Sequence, residues 1–235
     1  MAIQEGDIVR LNYTGRVEGE IFDTTVAADA EEAGIKSKKD YAPIVVRVGS
    51  NHVIPGLDEA LVGKEIGQQY EVEVPAEKGF GPHDMKLVES VNTNQFREKP
   101  KFGMRIQAGD REGVVVNVVG KRAVVDFNHP LAGKDLAYTF TIEGMVETVE
   151  EKAKGFIKLF SGRDMDLTFA EGTLTLTLPA GINYDRRWVM ARGIVVHQIF
   201  EFIPEVQDIV FVESFKRPEK TAEEPAAAEP EAKEE

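Results

Sequence analysis

The sequence predicts an α+β protein on three observations: short alternating strands near the N-terminus, one short glycine-closed helix among them, and a C-terminal third in which helical stripes flank a hairpin. Residues 8–13 alternate, with Ile8, Arg10 and Asn12 on one parity and Val9, Leu11 and Tyr13 on the other, before the turn-like Thr14-Gly15. Residues 44–48 form a second strand, with Val46 and Val48 on one face, and it ends at Gly49. Between these strands, residues 26–41 are polar, charged and weakly patterned, which predicts a long loop or a loose helical turn. After Pro55-Gly56, the run 57–63 (LDEALVG) predicts a helix too short to stand without tertiary support, closed by Gly63. In the strand 70–74, Tyr70, Val72 and Val74 point inward and Glu71 and Glu73 outward.

The character then changes. The strip 102–107, the run 113–120 (GVVVNVVG) and the segment 123–127 are rich in β-branched residues and bounded by glycine or charged turns. They predict a small all-β unit of about 40 residues, near the lower limit for independent folding. Residues 136–142 (LAYTFTI) alternate again and complete the first sheet, so the all-β unit reads as an insert supported by its host. Further on, Val149, Ala153, Phe156, Ile157 and Phe160 recur at helical spacing, although Gly155 weakens that helix by about 1 kcal/mol. Segments 166–169 and 173–178 flank Glu171-Gly172, and the alternation TLTLTL gives a hairpin one apolar face through Leu174, Leu176 and Leu178. A second helix starts at Asn183 or Asp185, either of which caps free amides, and stops before Pro204; its stripe of Trp188, Ala191, Val195, Ile199 and Phe202 reads as core. Residues 209–212 add a final strand. The segment 216–235, rich in Ala, Glu, Lys and Pro, lacks the apolar surface to fold and reads as a disordered acidic tail.

The division expected is therefore 1–86 with 129–147, an insert at 87–128, a C-terminal α/β unit at 148–215, and the tail. The two C-terminal helical stripes need more cover than a single three-stranded sheet provides. A homodimer through this unit is expected, the alternative being a third domain stacked on the first within one chain.

Composition bounds the function. With 235 residues, 42% hydrophobic and 29% charged, the chain is ordinary for a globular protein. Having no cysteine, it has no disulfide, thiolate catalysis or cysteine metal site, in keeping with a reducing cytosol. His52, His83, His129 and His197 show no pair at metal-ligand spacing, and neither a metal nor a cofactor is expected. A net charge of −13 repels a phosphate backbone, so no nucleic-acid partner is expected. No run of about 18 apolar residues occurs and MAIQEGDIVR lacks the order of a secretory leader, from which no membrane association and a cytoplasmic location are expected. Gly-x-Ser-x-Gly elbows, phosphate-binding glycine loops and His-Glu-x-x-His helices are absent. An enzyme built from this sequence should need neither a nucleophile nor a metal.

Residues 11–15 (LNYTG), 19–25 (GEIFDTT), 43–49 (PIVVRVG) and 53–61 (VIPGLDEAL) follow one another as the signatures of FKBP-type prolyl isomerases do, and the chain resembles that family over residues 1 to about 147. The stretches 79–84 (GFGPHD) and 128–134 (NHPLAGK) resemble the flap of its SlyD-like subgroup, in which an insert-in-flap domain sits between them; the C-terminal segment resembles the long archaeal type. The resemblance implies an FKBP-like antiparallel half-barrel sheet wrapped on a short helix, with the small all-β insert and the C-terminal α/β unit attached. It further implies a prolyl pocket whose catalytic residues are Tyr13, Phe22, Asp23, Phe80 and Tyr138, with Ile44, Val53, Ile54, Leu57, His129 and Leu131 binding substrate. Three positions depart from the commonest pattern. Ile44 stands where an aromatic is frequent, and Leu57 is the smaller form of a floor otherwise built by tryptophan. Phe80 replaces a tyrosine whose hydroxyl hydrogen-bonds the substrate carbonyl in many members.

The function implied is isomerisation of Xaa-Pro bonds together with chaperone activity toward unfolded or proline-containing polypeptides collected by the insert. The alternative is a non-catalytic holdase with a slow pocket. Taken without the family pattern, Phe22, Val53, Ile54 and Leu57 fit a sheet-and-helix core, Asp23 a turn cap, Tyr13 and Tyr138 half-buried strand positions, and His129-Pro130 a turn.

Overall fold

The computed structural model describes residues 2–35 and 41–215. The acidic tail read from 216–235 lies outside the described residues, as does the 36–40 part of the weakly patterned segment. Strand β1 (Ile8–Val17) is the axis of a five-stranded antiparallel sheet. Residues 14–17 of β1 pair with β2 (Glu20–Thr24), while residues 8–11 pair with β3 (Ile44–Arg47). Helix α1 (Ala27–Glu32) lies between those two strands in sequence, inside the segment expected as a loop or loose helical turn. Helix α2 (Pro55–Leu61) follows, with its proline in the first turn, where a missing N–H costs nothing. Strand β4 (Gln69–Val74) lies at the sheet edge, two places from β1.

The turn expected at Thr14-Gly15 is not there. Both residues lie inside β1, and the chain reverses at Glu18-Gly19, where φ is +52° and +86°. Gly15 marks a register shift against β2 instead, which is the other place a strand tolerates glycine.

A second, four-stranded sheet is built from β5 (Val88–Asn92), β6 (Arg105–Ala108), β7 (Arg111–Val119) and β8 (Arg122–Asp126), paired antiparallel in the order β5-β8-β7-β6. Its own core is small: Val115, Ala123 and Val125, with Met104, Ile106 and Phe127 packed around them. The chain enters and leaves this sheet at one clip. Asn128 donates through Nδ2 to the Asp84 carbonyl (2.9 Å) and to Asp126 (2.7 Å), and its Oδ1 accepts the Asp84 N–H (2.9 Å). Strand β9 (Leu136–Met145) then returns to the first sheet between β1 and β4, as 136–142 predicted. Val9, Leu11, Val46, Leu57, Leu61, Val74, Leu136, Tyr138 and Phe140 form the core between this sheet and α2.

The C-terminal part holds α3 (Val149–Ser161), the hairpin β10 (Asp166–Ala170) and β11 (Thr173–Leu178), α4 (Arg186–Phe202) and β12 (Asp208–Glu213), which pairs parallel to β11. Asp185, rather than Asn183, caps α4: its Oδ1 accepts the N–H groups of Arg187 (2.9 Å) and Trp188 (3.3 Å). Phe156, Ile157, Leu174, Leu176, Trp188, Val195 and Ile199 are fully buried among these elements.

This part is stacked on the first sheet through β3 and α3. A Cβ at Gly155 would stand 2.6 Å from each Val45 methyl, so only glycine allows α3 so close to the strand. Alternation along β3 then serves two cores: Ile44 and Val46 join the core under the first sheet, and Val45 joins the C-terminal one. Reciprocally, Leu159 of α3 packs on the first core. Both helical stripes are thus covered within one chain and no longer require a second copy. The apolar side chains left exposed on α4 are different ones, Val189, Met190 and Ile194. Among the described residues no helix is long and apolar enough to cross a membrane.

Candidate active site

A cavity of about 930 Å³ opens between the first sheet, α2 and the facing ends of α3 and α4. Tyr13 reaches it from β1, Phe22 and Asp23 from β2, Ile44 from β3 and Leu57 from α2. Val53 and Ile54 come from the loop before α2, Phe80 from the segment after β4, and Tyr138 from β9. These residues are spread over more than 120 positions of sequence (Tyr13 to Tyr138, 138 − 13 = 125), and the sheet gathers them.

Two polar networks hold the walls. Buried Asp58, in the first turn of α2, accepts the N–H groups of Gly49 (2.9 Å) and Asn51 (2.8 Å), which fixes the loop carrying Val53 and Ile54. At the end of β2, Thr25 Oγ1 accepts the Tyr13 N–H (2.8 Å) and donates to Asn12 (2.9 Å), and the Thr14 and Thr24 hydroxyls pair at 2.8 Å. Phe22 and Asp23 are thereby locked against β1. Sequence reasoning missed these roles of Asp58, Thr14, Thr24 and Thr25; hydroxyl and carboxylate side chains flanking turns are the signal that points to them.

The cavity wall is aromatic. Phe22 stands edge-on to Phe80 (6.1 Å) and to Tyr138 (5.9 Å), and Tyr13 is tilted against Tyr138 (5.8 Å). The Tyr13 hydroxyl donates to Asp23 Oδ2 at 2.6 Å. Burial, then the neighbouring Asp23 charge and this hydrogen bond, push the Tyr13 phenol far above its ordinary value; burial and Asp23 do the same to Tyr138. Both phenols stay protonated donors. Tyr13 spends its proton on Asp23, whereas the Tyr138 hydroxyl has no partner among the described residues.

His129 and Leu131 do not line the cavity. His129 is stacked on Phe80 at 4.3 Å, and half-buried Leu131 packs on the core of the first sheet. They sit outside the cavity because they lie in the bend after Asn128, where the Leu131 N–H meets His129 Nδ1 (3.2 Å) and the His129 ring is taken up by its stack on Phe80. Conversely, His52, Lys158, Leu159, Arg163 and Arg187 border the cavity, and nothing in the sequence had placed them there. Among the described residues no group of three His, Asp or Glu side chains is arranged to hold a metal ion.

A half-wrapped antiparallel sheet, a short helix under it and an aromatic cavity between them define a prolyl-isomerase class of protein. Residues 1–97 match the family model for FKBP-type peptidyl-prolyl cis-trans isomerase, residues 94–131 that for the FKBP26 IF domain, and residues 149–216 that for FKBP26_C-terminal. The chain is 34% identical over 144 residues to the short-type peptidyl-prolyl cis-trans isomerase of Methanocaldococcus jannaschii, covering 60% of this chain and 92% of that one. It is 30% identical over 164 residues to the SlyD isomerase of Haemophilus influenzae (67% and 80% covered), and 31% identical over 158 residues to SlyD of Treponema pallidum (64% and 82%). The chain belongs to the FKBP-type peptidyl-prolyl cis-trans isomerase family. Within it the chain is SlyD-like and is an enzyme of that class.

Proposed function

We propose that the aromatic cavity isomerises Xaa-Pro bonds with Tyr138 as the donor to the substrate, and that the four-stranded insert collects unfolded chains for it. Peptide-bond rotation costs about 18–20 kcal/mol because resonance is lost, and prolyl bonds exchange over tens to hundreds of seconds unaided. The planar amide is more charge-separated than the twisted one, so a water-poor aromatic wall disfavours the ground state relative to the transition state. A barrier lowered by about 4 kcal/mol gives roughly a thousandfold. The observation that carries the reading is the Tyr138 hydroxyl: protonated, set among Tyr13 and Phe22, and without a protein acceptor among the described residues. It offers on β9 the hydroxyl that Phe80 lacks. Leu57, fully buried, makes the floor, and Ile44, Val53 and Ile54 supply apolar sides for the prolyl ring.

For the insert, the support is exposed apolar surface: Phe102, in the turn before β6, is 83% exposed and Val119, at the end of β7, 66%, on a unit whose core is too small to take them in. A holdase without useful catalysis is the second reading, favoured by Phe80 and by that same surface.

One set of assays separates the readings. Tyr138→Phe should lower kcat/KM on a short Xaa-Pro peptide about tenfold, the worth of one hydrogen bond, and Phe80→Tyr added to it should restore most of the loss. Phe102→Ser with Val119→Ser should leave that peptide rate alone and reduce help to a refolding protein. Unchanged peptide turnover in a folded Tyr138→Phe variant removes the donor assignment, and absent turnover in the unaltered chain leaves the holdase.

A further inference from the structure

We propose that the C-terminal unit forms the second wall of the substrate groove and selects polypeptides carrying an acidic side chain within about three residues of the proline, with Arg187 as the anion's partner. The proposal rests on the prolyl-pocket reading and names the substrate class of that site. A cavity of about 930 Å³ lies at the upper end of the range for small-ligand sites, roughly 300–1,000 Å³, so it has room for the residues flanking a proline as well as its ring. The extra length is bounded by α3 and the start of α4, not by the first sheet. This wall is fixed: Leu159 is packed into the isomerase-side core, and Gly155 sits tight on Val45.

Its charge is local and opposite to that of the molecule. The chain carries −13 overall, yet among the described residues this end of the groove is bordered by three cations, Lys158, Arg163 and Arg187, against one carboxylate, Asp164. Lys158 is spoken for by Asp164 at 3.0 Å, and Arg163 by Asp185 at 2.7 Å. Arg187 has no carboxylate within ion-pair reach among the described residues. Its guanidinium lies along the end of α3 over Gly162, where an added Cβ would stand 2.6 Å from its nitrogen. Gly162 leaves that space by ending α3 in the left-handed conformation, φ +68°. A planar, permanently charged fork beside the groove, with its donors unspent, fits a carboxylate better than any neutral side chain.

The test is a series of short Xaa-Pro peptides in which a single Glu, Ala or Lys is moved through the positions flanking the proline. In the unaltered full chain, kcat/KM for the Glu peptide should exceed that for the Lys peptide by about tenfold at one or two positions, and the ratio should shrink as salt is raised. Arg187→Gln should bring the ratio near one, Arg187→Glu should invert it, and Arg187→Lys should retain part of it. Folding of each variant is followed by emission from the chain's single tryptophan, Trp188, buried beside the substitution. A ratio near one at every position, or a ratio that survives Arg187→Gln, overturns the proposal. Turnover of the Ala peptide reports on the prolyl pocket separately: if the unaltered chain fails on it, the underlying pocket reading is what has failed.

Discussion

His52 stands at the joint between the isomerase sheet and the C-terminal helices, edge-on to Phe156 (5.3 Å), Phe160 (5.5 Å) and Phe202 (5.9 Å). Its Nδ1 accepts the Arg47 N–H at 3.1 Å, so Nε2 carries the proton and donates to Gln198 at 2.7 Å. Burial lowers its pKa below the ordinary 6.5, with the Arg47 charge acting the same way and Gln198, Asp58 and Glu201 opposing. Protonation would both charge an aromatic box and remove the acceptor from Arg47. Because the folded-state value is depressed, the unfolded chain binds the proton more readily, and stability is complete above about pH 6.5 and falls as the pH drops below it. A thermal melt should therefore lose more between pH 7.5 and pH 5 in the unaltered chain than in His52→Gln, whose amide keeps a donor and an acceptor without titrating. Equal losses in the two would assign the acid sensitivity to carboxylates.

At the scale of elements, the decisive contact is α3 on β3, and Gly155 gives it a measurable sign. On an isolated helix, Gly155→Ala should stabilise by about 1 kcal/mol. Docked against Val45, the added methyl overlaps a packed strand, and overpacking of that kind costs about 1–3 kcal/mol. The net expectation is destabilisation in urea, with Val45→Ala added to it recovering part of the loss; a stabilised single variant would mean that α3 does not sit on β3. The same contact explains what the sequence disclosed and what it withheld. Thr/Leu alternation in 173–178 and the parity of 70–74 yielded strands with the right faces, because one face of each is buried and the other is not. Strand β2, with Glu20 and Asp23 among five residues, and β5, with Glu89, Ser90 and Asn92, carry no such contrast and are strands only because a neighbour pairs with them. In β7 the run of three valines at 114–116 carries no period, and a bulge between Val115 and Asn117 breaks the alternation so that Val116 and Asn117 are both exposed. For the site, the wall from the first sheet was legible through local motifs. The wall containing Leu159 and Arg187 was not, since it arises from a contact between residues more than 100 apart, Val45 with Gly155 (155 − 45 = 110).

For the whole molecule, the remaining question is whether one chain is the working unit. The buried face of α4, through Trp188, Ala191, Val195 and Ile199, is satisfied inside the chain. On the opposite face, Val189, Met190 and Ile194 are half or more exposed, and Gly193 between them has open space where a Cβ would be. An apolar patch with a bare backbone at its centre permits close approach of a second helix, and a twofold pairing of like faces is the commonest way to cover it. Such a dimer would carry two inserts, and their exposed Phe102 side chains would bind one unfolded client with a raised effective concentration for the second contact. Light scattering of the full chain at micromolar concentration should give twice the chain mass, and Ile194→Glu with Met190→Glu should halve it without changing the turnover of a short peptide. On the collecting role proposed for the insert, the refolding assay should then lose activity in the charged variant when client is scarce, because each insert would have to capture its segment alone. A single-chain mass for the unaltered protein at that concentration would assign the α4 face to something other than self-association.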